Sequence, residues 1–217
     1  MNAFLFDLDG TLVDTLEDIA TACNALLHNL GFAQHPVPAY RHFVGQGFTV
    51  LVKKALPPAA VAQSTPEHIH HAVAQARALY AQCYLQQSRP YPQVHASLRQ
   101  LARRGARMAV LSNKPDQLTK GMIKAFFPDI PFFAVRGALE GVPLKPDPSA
   151  ALALLQQAGI APEQCAFVGD SAVDMNTALA AGMCPVGVSW GFRGKGEVLA
   201  AGARHCVDHA SQWLDLL

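Results

Sequence analysis

The sequence predicts an α/β protein: a parallel sheet with helices on both faces, interrupted near its start by an all-helical insertion. Three observations carry this. Short apolar runs alternate with amphipathic helical stretches, each helical stretch stops at Gly or Pro, and residues 16–87 show helical periodicity without a convincing strand.

In chain order, Ala3 to Leu8 is a short apolar run ending in acid, the pattern of a strand buried on both faces. Leu16, Ile19, Ala20, Cys23, Leu26, Leu27 and Leu30 then share one helical face. Thr15 and Asp18 have the spacing of a capping box, and Gly31 is the stop. A helical pattern covers roughly 38–56. Thr65-Pro66 opens a further helix with Ile69, Ala72, Val73, Ala76, Tyr80 and Cys83 on its apolar face. Beyond the polar join Gln87-Ser88-Arg89-Pro90, strand runs return at Met108–Leu111, Phe132–Val135, Ala166–Val168 and Pro185–Val188, with a weaker one at Cys206-Val207. The intervening helices carry Val94, Leu98 and Leu101 (stop Gly105), Leu118, Met122, Ile123 and Phe126 (stop Pro128), Ala151, Leu152 and Leu155 (stop Gly159), and Ala178, Leu179 and Ala181 (stop Gly182). The expected division is a core of residues 1–15 and 88–217, with a helical domain of residues 16–87.

Composition narrows the function. With 51% hydrophobic and 15% charged residues, the 217-residue chain is long enough and apolar enough to bury a large core, which excludes a disordered protein. A net charge of +1 argues against a broad basic face for nucleic acid. Five cysteines, an odd number without a C-x-x-C, read as free thiols of a reducing compartment. An acid at position 7, no basic start and no run of roughly 20 apolar residues lead to the expectation of a cytoplasmic protein with no membrane contact.

Chemistry gathers at the strand ends. Asp7-Leu8-Asp9-Gly10-Thr11 closes the first strand, where open α/β sheets bind ligands. Two carboxylates two residues apart in extended chain face the same side and call for a cation or substrate to compensate them. Gly10 permits a sharp turn after them. Ser112 and Asn113 end the second strand with a hydroxyl and an amide, both able to hold a phosphate oxygen. Lys145 lies in the rigid loop Lys145-Pro146-Asp147-Pro148. Asp170 ends a further strand, and Asp174 follows one helical turn later. Singly, each has a plain structural alternative: a helix cap, an acidic turn, a surface Lys. Three strand ends carrying such groups together favour a site.

These residues, in this order, resemble the four motifs of the haloacid dehalogenase superfamily: D-x-D-G-T, Ser-Asn, Lys-Pro and G-D-S-x-x-D. The helical insertion sits where that family carries a cap. Within it the chain is similar to the phosphoglycolate phosphatase group, through Phe43-Val44-Gly45-Gln46-Gly47 and Leu51–Leu56, Ser112–Pro115, and Trp190-Gly191-Phe192. The resemblance implies a Rossmann-like core and an Mg²⁺-dependent phosphatase. Asp7 is implied as nucleophile, Asp9 as acid and base, and Lys145 as the cation that neutralises charge on nucleophile and phosphoryl group. Ser112, Asn113, Gly10 and Thr11 are implied phosphate contacts. Asp7, the Asp9 backbone carbonyl and Asp170 are implied metal ligands, braced by Asp174 and Ser171. Asp9 distinguishes the chain from the dehalogenase branch, which lacks a second Asp because a halide leaves without a proton. Arg41, Gly45, Gln46 and Gly47 are the expected substrate readers of the cap, which closes about joins near Asp14-Thr15 and Ser88-Arg89. The implied substrate is a small phosphorylated metabolite, 2-phosphoglycolate first, for a monomer or homodimer that binds no nucleic acid. Alternatives on the same fold are a pyrophosphatase, a nucleotide monophosphatase, a phosphosugar mutase and a non-catalytic binding protein.

Other signals fail on context. No strand precedes Gly45-Gln46-Gly47, as a dinucleotide loop needs. Gly194-Lys195-Gly196 is no Walker A, because Ser189 and Gly196 stand where Gly and Ser/Thr belong. His68, His70 and His71 start a helix away from its apolar face. Trp190 and Phe192 serve equally as packing or as pocket wall.

Overall fold

The computed structural model describes all of residues 1–217. The chain divides into two compact units, Met1–Asp14 with Pro90–Leu217, and Thr15–Arg89.

The first unit is built on six strands: β1 (Ala3–Phe6), and, after the short strands β2 (Val13–Asp14) and β3 (Arg89–Pro90) that mark where the chain leaves and returns, β4 (Arg107–Pro115), β5 (Phe132–Ala138), β6 (Cys165–Gly169), β7 (Cys184–Val188) and β8 (His205–Val207). The order is β5-β4-β1-β6-β7-β8, and every neighbouring pair is parallel. The chain runs from β1 outward through β4 to β5, then returns to the other side of β1 for β6. The winding direction thus reverses beside β1, and that reversal opens a crevice at the strands' carboxyl ends.

Side-chain alternation explains why β1 is apolar throughout. Ala3 and Leu5 join Ala109, Leu111, Phe167, Ala151, Leu154 and Leu155 in a core cluster on one face. Phe4 and Phe6 stack on the other, where Phe6 meets Trp213 at 5.0 Å between ring centroids. One register break matters later. Leu111 pairs with Arg136 and Pro115 with Ala138, so β4 advances four residues while β5 advances two.

The second unit is helical: α1 (Leu16–Asn29), α2 (Phe48–Ala55), α3 (Pro58–Gln63) and α4 (Pro66–Cys83), with a 3₁₀ turn at Val37–His42. The apolar faces expected on α1 and α4 are buried, except that Leu30 lies past the end of α1 and is exposed. Two local expectations are corrected. The helical pattern across 38–56 is broken between the 3₁₀ turn and α2, because Gly45 and Gly47 take positive φ angles of 115° and 90°. Thr15 and Asp18 form no capping box. Thr15 makes no side-chain cap bond, and the buried Asp18 carboxylate instead accepts from Gln87 N at 2.9 Å, Ser88 N at 2.8 Å and Ser88 Oγ at 2.7 Å. Three donors from the far end of the unit satisfy a buried carboxylate better than one local amide. Thr65 does cap α4, in a reciprocal box with His68.

The core's helices are α5 (Val94–Arg103), α6 (Asp116–Phe126), α7 (Ser149–Ala158), α8 (Ala172–Ala180) and α9 (Gly194–Ala200). All five cysteines are free thiols, and no helix is long and apolar enough to cross a membrane.

Candidate active site

The carboxyl ends of β1, β4 and β6 bring the expected groups together. Asp7 follows β1 directly. Its N–H continues the ladder to Val168 O at 2.9 Å, and its own Oδ1 accepts from Leu8 N at 2.7 Å. The chain then folds back at once, with Leu12 N and Val13 N both donating to Leu8 O. Gly10 makes this turn possible. Its φ is +83°, and a Cβ there would collide with the Asp170 carboxylate.

Asp170 follows β6 directly, and its Oδ2 accepts from Phe192 N at 2.7 Å. A Cβ on Gly191 would strike Asp170 and the Gly10 carbonyl, so three chain segments converge on this one carboxylate. Trp190 holds the third: its Nε1 donates to Thr11 O at 3.1 Å and its ring packs 5.9 Å from Trp213. Trp190 therefore serves as a clamp on the loop.

Asp174, fully buried on α8, accepts from Ser171 N at 3.1 Å and Ser171 Oγ at 2.7 Å through one oxygen. Its other oxygen lies 2.7 Å from Lys145 Nζ, which also lies 2.9 Å from Asp7 Oδ1. The lysine's position is set from β4. Asn113 Nδ2 donates to Lys145 O, and Lys145 N donates to Asn113 Oδ1, both at 2.9 Å. Asn113, expected to orient phosphate, thus bonds the Lys145 backbone through both its amide nitrogen and its amide oxygen. Ser112 is buried beside it, its Oγ accepting from Lys114 N at 3.3 Å. The Thr11 hydroxyl is buried without a hydrogen-bond partner.

A contact that no spacing signals is the ion pair between Lys114 Nζ and Asp9 Oδ1, at 2.8 Å with the lysine side chain 2% exposed. Lys114 stands out in the sequence only as a member of Ser112–Pro115. The backbone supports of Asp170 at Gly191 and Phe192 were equally invisible.

Electrostatics follow from this crowding. Burial, joined by the charges of Asp174 and Asp9 and opposed by Lys145, lifts the Asp7 carboxyl to about 7. Burial, then the charges of Asp174 and Asp7, raise Asp170 well above the usual carboxylate range. Burial alone would depress Lys145, but Asp174 and Asp7 outweigh it and hold the ammonium above its ordinary pKa. One oxygen each from Asp7, Asp170 and Asp174 lies within 4.8 Å of the others. With all four acids, Asp7, Asp9, Asp170 and Asp174, ionised against the two ammonium groups Lys114 and Lys145, two negative charges are left over, the charge that a divalent cation compensates and that burial otherwise disfavours. Hard oxygen donors suit Mg²⁺. The residues present fit that ion.

In the helical unit, Arg41 is exposed near the end of the 3₁₀ turn. Gln46 is also exposed, between the half-buried Gly45 and Gly47.

Comparison with known proteins agrees with this geometry. The model of the haloacid dehalogenase-like hydrolases matches residues 1–182. A phosphoglycolate phosphatase of Pseudomonas putida is 36% identical over 191 residues, covering 87% of this chain and 69% of that protein. One from Psychrobacter arcticus is 31% identical over 217 residues, covering 98% and 94%. The crystal structure of a predicted phosphoglycolate phosphatase from Haemophilus somnus superposes with a TM-score of 0.91 at 28% identity, covering 100% of this chain and 97% of that one. The chain belongs to the haloacid dehalogenase-like hydrolases.

Proposed function

We propose that this hydrolase is an Mg²⁺-dependent phosphatase that converts 2-phosphoglycolate to glycolate and phosphate through an aspartyl phosphate on Asp7. The observation that carries the reading is the pairing at the strand ends: Asp7 with Lys145 at 2.9 Å, and Asp9 with Lys114 at 2.8 Å. Each carboxylate the chemistry needs stands beside its own cation, within two residues of the other.

An Asp7 oxygen attacks phosphorus and forms the new P–O bond as the ester P–O bond breaks. Asp9, which takes up a proton as the anionic ester binds beside it, gives that proton to the departing alkoxide and later takes one from the water that splits the aspartyl phosphate. Lys145 offsets charge on the nucleophile and the phosphoryl oxygens, held by Asp174 and the Asn113 amide. Asp7, the Asp9 carbonyl and Asp170 would hold the magnesium, supported by Asp174 and Ser171. When bound, the ion supplies positive charge to the phosphoryl oxygens. Ser112 is assigned to the phosphate, with Gly10 and Thr11 shaping the turn beside it. The unit Thr15–Arg89 is proposed as the cap, and Arg41 with Gly45–Gly47 as the reader of the substrate carboxylate.

The names of the relatives support 2-phosphoglycolate among small phosphorylated acids. A turnover panel of phosphate esters and pyrophosphate, with Mg²⁺ and then with excess chelator, tests the proposal. The expected result is Mg²⁺-dependent release of phosphate with the highest kcat/KM for 2-phosphoglycolate. Preference for pyrophosphate, or turnover indifferent to the chelator, overturns it.

A further inference from the structure

The geometry points to Lys114 as a positioning residue that holds the Asp9 carboxylate in place for proton transfer to the leaving oxygen. The inference rests on the phosphatase reading and adds to it a residue that the family motifs do not assign a part.

Three observations support it. First, the Lys114 side chain is 2% exposed, and its Nζ lies 2.8 Å from Asp9 Oδ1. A buried ammonium is costly unless it is paired, so the fold retains this charge for its partner. Second, Lys114 is aimed by the backbone. In an unbroken strand Asn113 and Lys114 would project to opposite faces of the sheet. A register shift against β5 lies between Leu111 and Pro115, and within it the Asn113 amide reaches the Lys145 backbone while Lys114 reaches Asp9. Irregularities of this kind re-aim side chains beside active sites.

Third, the main chain of Lys114 is pinned on both sides. Its N–H donates to Ser112 Oγ at 3.3 Å, and its carbonyl accepts from the buried Thr119 hydroxyl at 3.2 Å. Gly137 of β5 packs so closely that a Cβ there would collide with the Lys114 carbonyl, the Asp116 backbone and the Thr119 hydroxyl. Gly137 N in turn donates to Asp116 Oδ1 at 2.9 Å. A long, flexible side chain on such a fixed base reaches one target reproducibly, and a proton donor must sit within hydrogen-bond reach of the leaving oxygen to act.

The two lysines thereby divide the work. Lys145 serves the atom that attacks phosphorus. Lys114 serves the group that hands its proton to the oxygen leaving phosphorus. Loss of Lys114 is therefore felt in proportion to how much the leaving group needs that proton, a dependence that a lysine with only a packing role would not produce.

The experiment measures kcat/KM of Lys114→Met, Lys114→Arg, Asp9→Asn and the double variant Asp9→Asn/Lys114→Met. The substrates are aryl phosphates of graded leaving-group acidity together with 2-phosphoglycolate. Lys114→Met is expected to lose about 10- to 100-fold on the poorest leaving groups and no more than a few-fold on the most activated one. Lys114→Arg restores most of the loss, because a guanidinium still bonds the carboxylate. In the Asp9→Asn background the Lys114→Met change costs about two-fold or less, since the group it positions is gone. Equal losses across all leaving groups, or full additivity with Asp9→Asn, overturn the inference. Should Lys114→Met fail to fold, the comparison of the double variant with Asp9→Asn still decides, because the double variant leaves neither charge buried alone. Turnover by the unaltered protein on the same panel reports separately on the phosphatase reading.

Discussion

Lys145 Nζ lies 2.7 Å from Asp174 Oδ1, with both side chains almost wholly removed from solvent. Asp174 is thus the anchor of the cation that faces Asp7, and its other oxygen ties it to Ser171. Breaking a buried pair by removing one charge costs several kcal/mol, because the remaining charge stays buried. Asp174→Asn is expected to lower stability by about 3 kcal/mol, a fall of roughly 6–12 °C in Tm, and to lower kcat with it. Thermal melts and steady-state kinetics check this. An unchanged Tm would show that Lys145 has another sufficient anchor.

Gly10→Ala places a methyl group into the Asp170 carboxylate and forces a side chain onto a φ of +83°. The account expects kcat/KM to fall by about 100-fold or more and Mg²⁺ to protect the fold less, since Asp170 must move. A variant that retains wild-type Mg²⁺ dependence would show that the turn and the carboxylate can yield independently.

The strands β1, β6 and β7 are legible because burial on both faces and an abrupt stop are properties of local sequence. The apolar faces of α1 and α4 were legible for the same reason. What stayed hidden depends on residues distant in sequence. Asp18 was read as a cap for its own helix, yet its partners are Gln87 and Ser88. Asn113 is legible as a polar group at the site, but its two bonds to the Lys145 backbone are not. Lys114 was invisible because a register shift against β5 aims it, and the Gly137 that fits beside it lies on another strand. The motif residues were legible as types in an order. Their partners had to be seen in space.

The Thr11 hydroxyl, buried and unpartnered, bears on its assignment to the phosphate site. An unsatisfied buried hydroxyl costs about 1–3 kcal/mol, and valine has the same shape without it. Thr11→Val is expected to raise Tm by a few degrees, roughly 2–4 °C per kcal/mol recovered, and to leave kcat/KM within about two-fold. Differential scanning calorimetry and kinetics decide. A ten-fold loss of activity would instead establish that the hydroxyl bonds phosphate during turnover.

Mg²⁺ should stabilise the protein by compensating the surplus charge of the carboxylate cluster. At a free concentration about 100 times its Kd the ion adds about 2.7 kcal/mol, or roughly 5–11 °C in Tm. Asp170→Asn should abolish most of that increment. Melting curves over a Mg²⁺ titration read both, and an increment unaltered in Asp170→Asn places the ion elsewhere.

The central claim is that Asp7 carries the phosphoryl group between substrate and water. The most direct measurement is acid quenching of the enzyme during turnover of 2-phosphoglycolate labelled in its phosphate, followed by mapping of the labelled peptide. Asp9→Asn is used in parallel with a labelled aryl phosphate, whose activated leaving group needs no proton, so that the intermediate forms while its hydrolysis is slowed. The account predicts label on the peptide containing Asp7, lost in Asp7→Asn together with a fall in turnover of about a thousand-fold or more. Label on another residue, or an Asp7→Asn variant that keeps a tenth of the activity, would contradict it.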